Sequence, residues 1–290
     1  MTLTERVERW RARGEDEDVA GRRIHVFRRA GDGPLLLLLH GFPSSSYDWR
    51  LLLDEIPGRG ALAYDCLGFG LSEKPTGHSY TVVEQADIAV ELVNRHHPGE
   101  LVFLVGHDMG TSVATELMAR DIEGQAGIDI RGALLFNGSM IQGAASPTLG
   151  QKLLRGRLGP VMARLSSERF FRQQFASIFS EGHPLTDDEA VDQWSLIAHD
   201  GGSRIGHRLI SYMDERERRA ERWHGALRDW PKPLSLAWGM VDPVATMKVL
   251  DGVRALRPEA PVHRLEDLGH YPQIEDPSRL AEALEASIRA

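Results

Sequence analysis

The run Leu101-Val-Phe-Leu-Val-Gly-His-Asp-Met-Gly-Thr-Ser112 restricts the fold more than any other stretch of the chain. Its first half is apolar and largely β-favouring. It ends in Gly106-His107-Asp108-Met109-Gly110, and Val113, Leu117 and Met118 follow with helix-like spacing. Strand, Gly-x-acid-x-Gly, helix is the setting of a nucleophile elbow, in which a sharp turn thrusts one side chain out at the top of a sheet. The glycines leave room for the strained backbone angles of that turn. No Gly-x-Ser-x-Gly occurs anywhere in the chain, so Asp108 has no serine rival.

The flanking sequence repeats the strand-then-helix rhythm. Pro34–Leu39, Ala61–Asp65, Ala133–Phe136, Pro233–Trp238 and Val262–Leu265 read as strands, the first of them apolar enough to be buried on both faces. Arg22–Arg28 alternates as an early strand, while residues 1–20 read as a polar helix and loop. Thr81–Asn94 has helical periodicity, and Asp276-Pro277 opens a final amphipathic helix. From Ser139 to about Trp223 no strand pattern appears, and Thr186-Asp-Asp-Glu189 has the form of a capping box. An α/β fold is expected: a mostly parallel sheet covered by helices on both faces. Residues 1–138 and 224–290 would form the core, and residues 139–223 a helical cap over the carboxyl ends of the strands, where such sheets bind ligands.

The formal charge of −8 argues against a nucleic-acid or anionic-membrane partner. The single cysteine, Cys66, excludes an internal disulfide and forms no metal motif. Met1–Ala30 is charged and lacks the apolar core of a signal peptide, and runs such as Leu35–Leu39 are far too short to span a bilayer. The expectation is a soluble, cytoplasmic monomer or homodimer that takes a small apolar organic substrate, without metal or cofactor.

An elbow needs an acid and a histidine after it in the chain. Asp242 follows the Pro233–Trp238 strand, and His270 follows the Val262–Leu265 strand, so Asp108, Asp242 and His270 are expected at one sheet edge. The backbone N–H groups of Phe42, in the His40-Gly41-Phe42-Pro43 loop, and of Met109 are the candidate donors to developing negative charge. An aspartate nucleophile is already ionised and can attack carbon directly, giving an alkyl-enzyme ester. His270, oriented by Asp242, would then activate water to hydrolyse it. An epoxide or a haloalkane would suit this chemistry. Phe42 and Met109 carry no side-chain donor for a halide, whereas Tyr212 in the insertion could protonate an opening epoxide. His40 and Trp194 are candidate pocket residues, Trp194 and Trp223 read as cap core rather than halide ligands, and Arg216–Arg222 reads as a solvated helix face.

Through His40-Gly-Phe-Pro43, Asp65-Cys-Leu-Gly-Phe-Gly-Leu-Ser-Glu-Lys-Pro75 and Gly106-His-Asp-Met-Gly110, the chain resembles the epoxide hydrolase and haloalkane dehalogenase branch of the α/β-hydrolase superfamily. Phe42–Trp49, Gln151–Leu154, Tyr212–Trp223 and His270–Pro277 are most similar to the group of mesoderm-specific transcript protein and its bacterial relatives. The resemblance implies the α/β-hydrolase fold with a cap, the triad Asp108, Asp242 and His270, and oxyanion donors at Phe42 and Met109. Departures concern the leaving group. Met109 stands where many members of that branch carry Trp, Phe42 where dehalogenases often carry Asn, and Tyr212 is the one tyrosine of the insertion. Epoxide hydrolysis is the leading expectation, with haloalkane dehalogenation as the alternative. A non-catalytic ligand-binding or signalling protein on a hydrolase scaffold is the alternative of a different class.

Overall fold

The computed structural model describes residues 2–290. Eight strands form one sheet: β1 (Gly14–Val19), β2 (Arg22–Arg29), β3 (Asp32–Leu39), β4 (Arg59–Tyr64), β5 (Leu101–His107), β6 (Asp129–Phe136), β7 (Leu234–Gly239) and β8 (Val262–Leu265). Their spatial order is β1-β2-β4-β3-β5-β6-β7-β8. The β1–β2 and β2–β4 pairs are antiparallel, and from β4 onward every pairing is parallel. Leu35–Leu39 and Val102–Val105 lie side by side at the centre, fully buried, as strands covered on both faces must be.

One strand was not legible in the sequence. β1, Gly-Glu-Asp-Glu-Asp-Val, lies in the segment expected to be helix and loop. It has no apolar alternation because it is an edge strand, held by its ladder to β2 and by charges facing across it: Glu15 pairs with Arg28, and Asp16 with Arg23 and His25. Charged edges of this kind also discourage strand addition.

Between β6 and β7 the chain forms a series of helices joined by loops, with no strand among them. The helix Asp187–Ala198 starts on Thr186, whose side chain accepts the Glu189 N–H. Polar contacts bind this helix to the sheet domain: Tyr47 Oη donates to Asp192 at 2.8 Å, Gln193 Nε2 donates to Asp48 at 2.7 Å, and Arg50 pairs with Glu189. Desolvation pushes the buried Asp48 carboxyl up to about 7, against the pull of its hydrogen bonds from Ser44 and Gln193. Further along, the helix Ala220–Asp229 packs on Met109–Ile122, and the Trp223 indole donates to the Glu116 carboxylate at 2.8 Å.

Candidate active site

Asp108 sits between the end of β5 and the helix Met109–Ile122 with φ 44° and ψ −109°. A positive φ in a residue with a Cβ costs on the order of 1–3 kcal/mol, and surrounding structure must hold it in place. Gly110 permits the turn, since a Cβ there would stand 2.0 Å from the Leu39 carbonyl oxygen. The Asp108 side chain is buried. Its Oδ2 accepts the Phe42 N–H at 2.9 Å, which leaves Oδ1 as the other carboxylate oxygen. Met109 opens the following helix, where N–H groups have no acceptor within the helix itself.

Asp242 and His270 meet as the chain order suggested, with Nδ1 and Oδ2 2.7 Å apart. Asp242 Oδ1 also accepts the N–H groups of Val244 at 2.7 Å and Ala245 at 3.1 Å. A carboxylate so placed only accepts, so His270 carries its proton on Nδ1 and keeps the Nε2 lone pair free. Burial lowers the His270 pKa. The charge and hydrogen bond of Asp242, followed by the charges of Asp108 and Glu275, outweigh that effect and hold it above the ordinary imidazole value.

Two residues that sequence reasoning passed over complete this arrangement. Asn137, just past the end of β6, donates to Asp242 Oδ2 at 2.7 Å and accepts the Gly239 N–H at 3.0 Å. Its place at a strand's carboxyl end was the available signal. His107 sends Nε2–H to the His270 carbonyl at 2.8 Å, while its Nδ1 accepts from Gln273 at 3.1 Å. Burial, then the neighbouring His270, push the His107 pKa far down, so this ring acts as a neutral strut under the histidine loop.

The larger surprise comes from the insertion. Arg216 was expected on a solvated helix face, and it is buried against the elbow. Its Nη2 donates to the Asp108 carbonyl at 2.6 Å and its Nε to Ser112 Oγ at 2.6 Å. Nη2 also lies 3.9 Å from Asp108 Oδ1. Arg222 is partly covered and pairs with Glu116 and Glu123. Tyr212, four residues before Arg216 on the helix Tyr212–Arg218, places its ring 4.7 Å from the guanidinium and 5.9 Å from the Phe42 ring. That spacing puts both side chains on one helix face. Burial first, then the Asp108 charge, raise the Tyr212 pKa, while Arg216 acts in the opposite direction.

A cavity of about 120 Å³ lies between the sheet domain and the insertion. His270, Phe42 and Val244 line it from the sheet side, Phe171, Phe175 and Trp194 from the insertion. A comparable apolar cavity holds roughly one benzene. Trp194 is therefore a wall residue. His40 is not: its Nε2 accepts the Cys66 N–H at 2.9 Å and its Nδ1 meets the Gly41 carbonyl at 2.8 Å, so it braces two loops beneath the site. Among the described residues no group of three or more His, Cys, Asp or Glu side chains is placed to hold a metal ion.

Comparison with known proteins agrees with this architecture. The model of the alpha/beta hydrolase family matches residues 36–283. A Mycobacterium tuberculosis protein named "Putative hydrolase LipZ" is 51% identical over 96% of both chains. The mouse mesoderm-specific transcript protein is 35% identical over 85% of this chain and 76% of its own. Among solved structures, the haloalkane dehalogenase DatA of Agrobacterium tumefaciens superposes with a TM-score of 0.77 at 21% identity, covering 95% and 96% of the two chains. The epoxide hydrolase CorEH does so with 0.76 at 18%, covering 95% and 98%. With its elbow, its sheet order and a family match over most of its length, the chain belongs to the alpha/beta hydrolase family.

Proposed function

We propose that this hydrolase opens small apolar epoxides through a covalent ester on Asp108. The observation that carries the reading is the elbow carboxylate in place of a hydroxyl nucleophile, with the hydrogen-bonded Asp242–His270 pair near enough for the Asp108 charge to act on the imidazole. Asp108 Oδ1 attacks an epoxide carbon while the Phe42 N–H holds Oδ2. The carbon–oxygen bond of the ring breaks, and the alkoxide takes a proton from Tyr212. The Tyr212 phenolate regains a proton from solvent. His270 Nε2 then draws a proton from water, whose oxygen attacks the ester carbonyl. As the tetrahedral intermediate collapses, the departing alkoxide takes that proton from His270 and leaves as the diol, and the new Asp108 carboxyl loses its proton to solvent.

Ester formation itself tunes the two proton-handling groups. It removes the Asp108 charge, and that charge is what helps to hold both the Tyr212 and the His270 pKa up. Tyr212 becomes the stronger acid as the alkoxide appears, with Arg216 favouring the phenolate left behind. His270 becomes readier to be neutral when a base is needed. Protonated His270 cannot act as a base, so ester hydrolysis is lost as pH falls through the His270 pKa. The midpoint of that loss in single-turnover hydrolysis should lie below the imidazole titration of the free enzyme followed by NMR. Coincident midpoints would remove this coupling.

A panel of small epoxides and haloalkanes, scored for diol and for halide, tests the assignment. Diol from epoxides is the expected result, with ester formation slowed about a hundredfold in Tyr212→Phe. Unchanged epoxide turnover in that variant would take Tyr212 out of the mechanism. A second reading, haloalkane dehalogenation, rests on Trp194 being a residue of the cavity wall, because an indole N–H is a donor that a halide can use. Halide release without any diol would establish it.

A further inference from the structure

The segment 149–172 differs in charge and exposure from the rest of this acidic chain. It holds six arginines and lysines and a single acid, Glu168, in a protein whose net charge is −8. Lys152, Arg157, Arg164 and Arg169 are exposed. Four large apolar side chains project into solvent from the same segment: Leu149 is 58% exposed, Leu158 67%, Val161 50% and Leu165 69%. Only three other large apolar residues are so exposed among the described residues, and they are scattered through the chain.

Geometry gathers these side chains. Leu158, Val161 and Leu165 are spaced i, i+3, i+7 along the short helix Gly159–Arg164 and its two caps, which makes one stripe. Arg164 lies beside that stripe by the same periodicity, and Arg157 immediately precedes its first residue. Ala163, on the inner side, is buried. The inner surface of the segment, through Gly150, Gln151, Leu154, Ser166 and Phe170, lines the cavity. One layer of polypeptide thus separates the cavity from an apolar, cationic outer surface.

We propose that this outer surface docks on an anionic lipid surface, with the Leu158, Val161 and Leu165 stripe entering the headgroup boundary and Arg157 and Arg164 meeting lipid phosphates. Apolar residues bordered by cations suit that surface, because each contributes a separate term, burial of carbon and attraction to charge. The net charge of −8 argues against an anionic membrane for the chain taken as a whole, but within a Debye length of the surface the local patch sets the attraction. No helix among the described residues is long and apolar enough to cross a membrane, so the association is peripheral.

Co-sedimentation with phosphatidylcholine vesicles, with and without phosphatidylglycerol, tests this directly. The full chain should bind the phosphatidylglycerol vesicles, lose binding with added salt, and bind phosphatidylcholine vesicles much less. Removing two cations in Arg157→Gln/Arg164→Gln should weaken binding about 30-fold. The triple substitution Leu158→Ser, Val161→Ser and Leu165→Ser should weaken it at least about tenfold. All five side chains are exposed, so the unfolding midpoint of each variant should stay at the wild-type value. Absent binding, equal binding to both vesicle types, or binding that neither variant weakens overturns the proposal. Self-association of the wild type that the triple serine variant dissolves, without vesicle binding, assigns the stripe to a second copy of the chain instead. The readout involves no catalysis, so a negative epoxide assay leaves it intact.

Discussion

His270→Gln should convert the protein from a catalyst into its own trap. Glutamine fills much of the imidazole's place but is no base, so attack by Asp108 proceeds while ester hydrolysis slows by about a thousandfold or more. Intact-protein mass spectrometry should then show a single adduct on the peptide containing Asp108, absent from Asp108→Ala. The size of the gain identifies the substrate class. An epoxide adds whole, since its oxygen stays on the alkyl chain and takes up a proton. A haloalkane adds only its alkyl group, the halide having left. No adduct from any member of a broad panel, in a variant that folds normally, would refute the ester and favour a ligand-binding protein on a hydrolase scaffold.

Much of this arrangement was legible in the sequence because strands that end at one sheet edge announce themselves. Leu101–Val105 is unmistakably apolar, and the turn after it needs glycines. Asp242 and His270 could be named from their places just beyond β7 and β8. What periodicity conveys, however, is which face of an element is apolar, and two features here defy that signal. β1 is polar on both faces because its stability comes from backbone pairing and cross-strand charge. Arg216 lies in a run of charged residues that resembles a solvated face, yet one helix face of that run turns inward to the elbow. Sequence alone does not say that a carbonyl and a hydroxyl wait there to receive a guanidinium. His40 erred in the other direction: a polar ring after a strand suggested a pocket residue, and its two nitrogens are spent on backbone groups.

Arg216→Met should be the most damaging single change outside the proposed triad. Methionine matches much of the arginine's length and supplies no charge. The Asp108 carbonyl and Ser112 Oγ each lose a donor, and the nearby Asp108 carboxylate loses a cation in a site almost closed to water. Removing one partner of a buried ion pair costs about 3–5 kcal/mol, and the denaturation midpoint should fall accordingly. A second effect should be visible in the molecules that remain folded. The carbonyl held by Arg216 belongs to the strained residue itself, so loss of that bond lets the nucleophile drift. Displacement of a reacting group by about 1 Å costs roughly a hundredfold in rate. Ester formation in the double variant Arg216→Met/His270→Gln should therefore be slower than in His270→Gln alone by about that factor, measured as the growth of the mass adduct under conditions where the fold is intact. Arg216→Lys retains a charge without the planar fork that reaches both Ser112 and the Asp108 carbonyl, and should recover the stability more fully than the rate. Adduct growth at an unchanged rate in the folded methionine variant would leave Arg216 with a purely structural part, one that fastens the insertion to the elbow and does nothing for the chemistry.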